Sequence, residues 1–120
     1  MQTTKKDKII NDPLYGFIKI DKGLITNLID NTYFQRLRRI SQLGLSYLVY
    51  PGAHHTRFHH AIGCMFLMEN AIKQLRSKGQ RITNKEAESL KIAILLHDIG
   101  HGPFSHALEK SIVSEYPCFN

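Results

Sequence analysis

Leu90-Lys91-Ile92-Ala93-Ile94-Leu95-Leu96-His97-Asp98-Ile99-Gly100-His101-Gly102-Pro103-Phe104-Ser105-His106 is an apolar run that ends abruptly in imidazole and carboxylate groups. It reads as a helix apolar on every side, so His97 and Asp98 are expected to open inside the domain rather than on its rim. Such groups are costly to desolvate unless something pairs with them. Two partners are open: a hydrogen bond within the His-Asp pair, or a divalent metal that satisfies both. A neutral imidazole and a carboxylate suit Mn, Fe, Zn or Ni better than calcium, whose sites are all oxygen.

Gly100, Gly102 and Pro103 break the helix, and a further one is expected from about Ser105 to Ser114. His101 stands one helical turn after His97, so an i, i+4 metal pair is an alternative. The flanking glycines also suit a flexible segment in which His101 approaches a bound phosphate closely. His106, near the start of the next helix, is a candidate acid or a helix cap.

Upstream, Thr83 and Glu86 form a capping box that opens the helix ending at His97. The preceding helix is expected from Arg57 to about Lys78. Its apolar residues Ala61, Cys64, Met65, Met68, Ala71, Ile72 and Leu75 follow the helical period and define one buried face centred near Met68. At about 100° per residue, His60 falls at the edge of that face and His59 points away into solvent. His60 is therefore the candidate to meet His97 and Asp98, against the plainer reading of a satisfied histidine at a helix start. Arg57, directly before it, offers a planar fork of donors for a phosphate oxygen, or else a surface ion pair.

The first third is less regular. Thr32 and Gln35 resemble a capping box opening a helix to about Gln42, with Phe34, Leu37 and Ile40 inward and Gly44 beyond its end. Tyr47-Leu48-Val49-Tyr50 reads as a brief extended piece broken by Pro51-Gly52. Ile9 to Ile20, interrupted by Pro13 and Gly16, reads as a short hairpin or extended arm. Residues 1–8 are expected to be a disordered basic tail, and residues 9–120 one domain, mainly α.

Composition bounds the function. A chain of 120 residues fits one core. Its 42% apolar and 22% charged residues are those of an ordinary globular protein. The net charge of +6 favours anionic partners such as nucleotides, nucleic acid or acidic lipid. Cys64 and Cys118 give no disulfide framework, so a reduced, cytoplasmic setting is expected. No apolar h-region follows the basic start, and no stretch approaches the roughly 20 apolar residues of a membrane span.

Taken together, His60 and Leu95-Leu96-His97-Asp98-Ile99-Gly100-His101-Gly102-Pro103-Phe104-Ser105-His106 resemble the HD superfamily of metal-dependent phosphohydrolases. Ile10-Asn11-Asp12-Pro13, Phe34-Gln35-Arg36-Leu37-Arg38, and Gln42-Leu43-Gly44 followed by Pro51-Gly52-Ala53 and Arg57-Phe58-His59-His60 resemble its dNTP triphosphohydrolase, dGTPase-like branch. The likeness spans about residues 8–114 and implies an HD-domain helical fold with a short N-terminal arm or hairpin, incomplete at the C-terminus. It implies that His60, His97 and Asp98 ligate a divalent ion (Mn, Fe, Zn, Ni or Mg), with Asp98 also counted among the catalytic residues. By the same resemblance Arg57 contacts substrate phosphates, Gln42 and Leu43 face the deoxynucleoside, and His101 and His106 line the phosphate site. In nucleotide-activated members, residues matching Lys8, Asn11, Asp30, Gln35 and Arg38 hold a regulatory nucleotide between subunits, which implies a homo-oligomer.

One departure stands out. The family's fourth ligand, a downstream Asp, and a His-Glu pair with a catalytic His have no counterpart in this sequence, which reads as the N-terminal portion of a longer enzyme. The expected reaction is dNTP and water to deoxynucleoside and triphosphate, with weak or no turnover by the short chain. The alternatives are an HD-type phosphatase for another nucleotide or phosphate ester, and a non-catalytic remnant that binds nucleotide or nucleic acid.

Overall fold

The computed structural model describes residues 7–108 together with 111, 114 and 115. Its elements run β1 (Lys8–Asp12), β2 (Gly16–Ile20), α1 (Leu24–Asp30), α2 (Thr32–Gln35), α3 (Arg57–Ser77) and α4 (Asn84–Leu96), with 3-10 turns at Arg36–Arg39 and Ser46–Leu48. The class is mainly α with one antiparallel hairpin.

Asp12 closes the hairpin: its Oδ1 accepts from the backbone N–H of Leu14 at 2.8 Å and of Tyr15 at 2.9 Å, the local bonding by which Asp starts a turn. Gly16 follows at φ +72°, where a Cβ is unfavourable. Strand alternation then buries Ile18 and Ile20 and leaves Phe17 exposed. Lys8, assigned to the tail by composition, is instead the first residue of β1, pairs with Ile20, and forms an ion pair with Asp30. Residues 1–6 lie outside the described residues.

Between residues 24 and 50 the chain departs from expectation. Helix α1 has no side-chain N-cap, so the sequence carries no start signal for it. Ile25 and Ile29, one turn apart, are both buried, and packing rather than propensity makes the helix. Thr32 is not a cap. Asn31 caps α2 by accepting from the Tyr33 N–H at 2.9 Å, and the Gln35 amide donates to the Ile29 carbonyl at 2.7 Å instead of reaching back. The helix expected to reach Gln42 gives way to a 3-10 turn at Arg36. Phe34, Leu37 and Ile40 still face inward, because a spacing of three matches the 3-10 repeat. Residues 47–50 are not extended: Leu48 donates to the Leu45 carbonyl and Val49 to that of Ser46. No strand pairs with them among the described residues, and β-propensity without a partner decides little.

Helix α3 begins at Arg57, as expected, but its buried stripe is Phe58, Ala61, Ile62, Met65 and Ile72. Cys64 and Met68 are only half-buried, and Ala71 and Leu75 are exposed. The face is rotated because Phe58 and Ile62 anchor it. Phe58 meets Phe34 edge-on with ring centroids 5.5 Å apart, and the Arg38 guanidinium lies 3.7 Å from the Phe58 ring centre.

Helix α4 opens with the expected capping box. The Thr83 N–H donates to Glu86 Oε2 at 2.8 Å, and the Glu86 N–H donates to Thr83 Oγ1 at 3.2 Å. It is not buried on every side. It packs on α3, its buried residues are Ala87 and Leu95, and Leu90 and Ala93 are exposed. His97 is consequently exposed and Asp98 half-buried, so the pair opens on a rim rather than inside the domain. Residues 105–108 form a turn, with Phe104 and Ser105 at φ +62° and +53°. Most of the helix expected after them lies outside the described residues.

Candidate active site

The segment after the first 3-10 turn is tied to the start of α3. The Arg57 N–H donates to the Ile40 carbonyl at 2.8 Å, the Gln42 N–H donates to the His55 carbonyl at 3.1 Å, and Ser41 and Thr56 form an antiparallel bridge. These bonds set Gln42 beside Arg57. Gln42 is fixed again through its side chain, whose Oε1 accepts from His55 Nε2 at 2.6 Å. Leu43 follows, 47% exposed.

At the N-terminus of α3, Thr56 caps the helix and His59 occupies the third position of the box, its Nδ1 accepting from the Thr56 N–H at a long 3.4 Å. His59 is therefore half-buried in a capping role rather than solvated. Thr-x-x-His is not the Glu or Gln pattern that marks a capping box in sequence, which is why this role was not legible. His60, the next residue, turns toward the end of α4. Its ring lies 5.2 Å from that of His97, in an edge-to-face arrangement. One donor atom from each of His60, His97 and Asp98 falls within 4.8 Å of the others. His59 and His101 are not part of this group.

The donor set fits a divalent ion. His97 Nδ1 donates to the Ile94 carbonyl at 2.6 Å, which leaves the Nε2 lone pair free, as metal-bound imidazoles require. Two nitrogens and one carboxylate oxygen suit a transition ion. Asp98 is pulled two ways. Burial alone would raise its carboxyl, but the Arg57 hydrogen bond and the charges of His97, Arg57 and His60 hold it below 3.8. His60 is pushed below 6.5 by burial and then by the His97 charge, which favours the neutral form a metal needs.

Arg57 is the cation of the site, only 4% exposed. Its Nη1 donates to Asp98 Oδ2 at 2.6 Å, its Nη2 reaches the Gln42 carbonyl at 3.4 Å, and its buried Nε has no hydrogen-bond partner among the described residues. Three contacts were not visible in the sequence. Arg36 Nη2 donates to the carbonyls of Ile99 at 2.8 Å and His101 at 3.0 Å, pinning the loop after α4. His55 holds Gln42. Cys64 Sγ lies 3.7 Å from both His60 nitrogens, and burial followed by the Asp98 charge raises its thiol. His101 and His106 stand together, ring centroids 5.2 Å apart. Gln35 Oε1 accepts from Arg38 Nε at 2.7 Å, Asn11 sits opposite Phe17 in the hairpin, and Lys8 pairs with Asp30.

A family model described as HD domain matches residues 57–119, just over half of the chain. The chain belongs to the HD-domain family. Among curated relatives, the deoxynucleoside triphosphate triphosphohydrolase SAMHD1 of Danio rerio is 44% identical over 89% of this chain and 17% of its own length. The Homo sapiens SAMHD1 is 43% identical over 85% of this chain and 16% of its own. The uncharacterized protein YwfO of Bacillus subtilis is 40% identical over 88% of this chain and 24% of its own. A crystal structure titled phosphohydrolase, from Bacteroides thetaiotaomicron, matches at TM-score 0.85 and 59% identity, covering 90% of this chain and 27% of that one. This chain thus spans a quarter or less of the length of these curated relatives. No helix among the described residues is long and apolar enough to cross a membrane.

Proposed function

We propose that this chain carries the metal- and phosphate-binding part of a dNTP triphosphohydrolase, acting on a dNTP and water to give the deoxynucleoside and triphosphate. The observation that carries the reading is the convergence of His60, His97 and Asp98 beside the buried Arg57. The similarity to SAMHD1 supports the choice of substrate. His60, His97 and Asp98 would hold the divalent ion, which supplies a Lewis acid and a more acidic water when bound. Arg57 and His101 offset charge on the phosphates. His106 protonates the departing 5′ oxygen, a poor leaving group without an acid. Gln42, held by His55, and Leu43 face the deoxynucleoside. Lys8, Asn11, Asp30, Gln35 and Arg38 form the side that takes a regulatory nucleotide in a homo-oligomer.

Products decide the reaction class. The chain is incubated with dGTP and the other dNTPs in Mn2+ or Mg2+, and the products are separated by anion chromatography. Turnover is expected to be slow, and what there is should release intact triphosphate and be lost in His97→Ala and Asp98→Ala. Pyrophosphate with a nucleoside monophosphate would overturn this mechanism.

A further inference from the structure

We propose that Arg57 is a resident counter-cation for Asp98, which a divalent ion displaces and thereby hands to a phosphate anion. The inference rests on the metal site proposed above and goes beyond it by linking the two binding events. Arg57 and Asp98 are an ion pair, with the Arg57 side chain 5% and the Asp98 side chain 17% exposed, and their closest atoms are 2.6 Å apart. Asp98 also faces His97, with Oδ1 3.7 Å from His97 Nε2. A divalent ion entering between His60, His97 and Asp98 brings two positive charges to a carboxylate that already has a cation on it. With Arg57 itself buried, that repulsion is less screened than between charges in open water, and it acts on the contact between Arg57 and Oδ2.

The guanidinium has donors in reserve. Its Nη2 contact to Gln42 is long at 3.4 Å, and its buried Nε has no partner among the described residues. A buried unmade donor is costly, and an anion arriving beside the ion supplies the missing acceptor. The planar fork of Arg matches a phosphate edge as well as it matches a carboxylate. Metal and phosphate therefore bind with positive coupling, and by linkage each strengthens the other by the same factor.

Arg57 as a displaced cation and Arg57 as a fixed support of Asp98 have opposite consequences for metal binding. A fixed support, once removed, weakens metal binding. A competing cation, once removed, strengthens it. Mn2+ binding to the 120-residue chain is followed by the EPR signal of free Mn2+, without anion and then with inorganic phosphate, corrected for Mn2+–phosphate association measured without protein. Arg57→Gln is expected to bind Mn2+ at least about threefold more tightly than wild type without phosphate. Phosphate should tighten Mn2+ binding in wild type, and much less in Arg57→Gln. Weaker Mn2+ binding by a folded Arg57→Gln, or equal tightening by phosphate in both proteins, would overturn the inference. Absence of Mn2+ binding that His97→Ala abolishes would overturn the metal site as well, so the two failures are distinguishable.

A second measurement needs no variant to fold. In 15N NMR of wild type the Arg57 Nε–H resonance is expected to shift on adding Zn2+ and to shift again with inorganic phosphate. A resonance unmoved at saturating Zn2+ would show that Arg57 stays on Asp98.

Discussion

His97 Nδ1 lies 2.6 Å from the carbonyl oxygen of Ile94, one helical turn earlier. A carbonyl can only accept, so the proton sits on Nδ1 and Nε2 is left as a lone pair facing His60 and Asp98. The last turn of α4, whose final carbonyls lack helical partners, thus sets the tautomer of the imidazole that follows it. Metal-free chain at pH 8 should show His97 as the Nδ1-protonated tautomer in 15N NMR, and Zn2+ should move Nε2 far more than Nδ1. A Zn2+ response absent from Nε2 would remove His97 from the candidate ligands.

Acid should destabilise the metal-free fold through two groups of the site. Both His60 and Asp98 have folded pKa values below their ordinary ones, so the folded state binds fewer protons than the unfolded state and stability rises with pH. The His60 contribution is complete above about 6.5 and is lost as pH falls through its lower folded value. The Asp98 contribution is complete above about 3.9 and is lost further down. Urea midpoints measured at pH 8, 6 and 5 should decline for wild type. The decline between pH 8 and 5 should be shallower for His60→Gln, and an equal slope would show that His60 does not titrate in this way.

The capping box at the start of α4 should be worth measuring by itself. Thr83 and Glu86 satisfy each other's N–H groups, and removing such a cap costs about 1 kcal/mol. Thr83→Ala should lower the urea midpoint accordingly and leave Mn2+ affinity unchanged, because the site lies at the far end of the helix. A loss of metal affinity with the cap would mean that α4 frays as a unit.

The parts of the fold legible in sequence are those in which a local signal and the packing agree. Thr83-x-x-Glu86 announces α4, and the helix from Arg57 is present with nearly the expected length. Pro13 and Gly16 mark the hairpin. The convergence of His60, His97 and Asp98 was legible because all three lie at helix ends, where side-chain direction follows from a few residues of backbone. What escaped depends on partners distant in the chain. Helix α1 exists because Ile25 and Ile29 find a core. The buried face of α3 is set by Phe34 and Arg38 against Phe58, and no periodicity within α3 reports them. The exposure of His97 does not follow from the apolar run before it, because α4 buries Ala87 and Leu95 and leaves Leu90 exposed.

The loop after α4 should depend on Arg36, which is 63 and 65 residues away from the carbonyls it holds. Gly100 and Gly102 give this segment little stiffness of its own, and the loop carries His101 and leads to His106. Gly44 also approaches this segment closely: a Cβ there would meet the Phe104 backbone at 3.4 Å. Arg36→Ala removes two charge-assisted bonds without touching His60, His97 or Asp98. Hydrogen exchange at residues 99–104 should therefore quicken, with Mn2+ affinity unchanged within about twofold, since the ligands themselves keep their partners. If His101 and His106 act on the phosphates, any hydrolysis should fall far more than metal binding does. Unchanged exchange in the loop would show that Gly44 and Phe104 suffice to hold it, and that Arg36 only decorates a segment already in place.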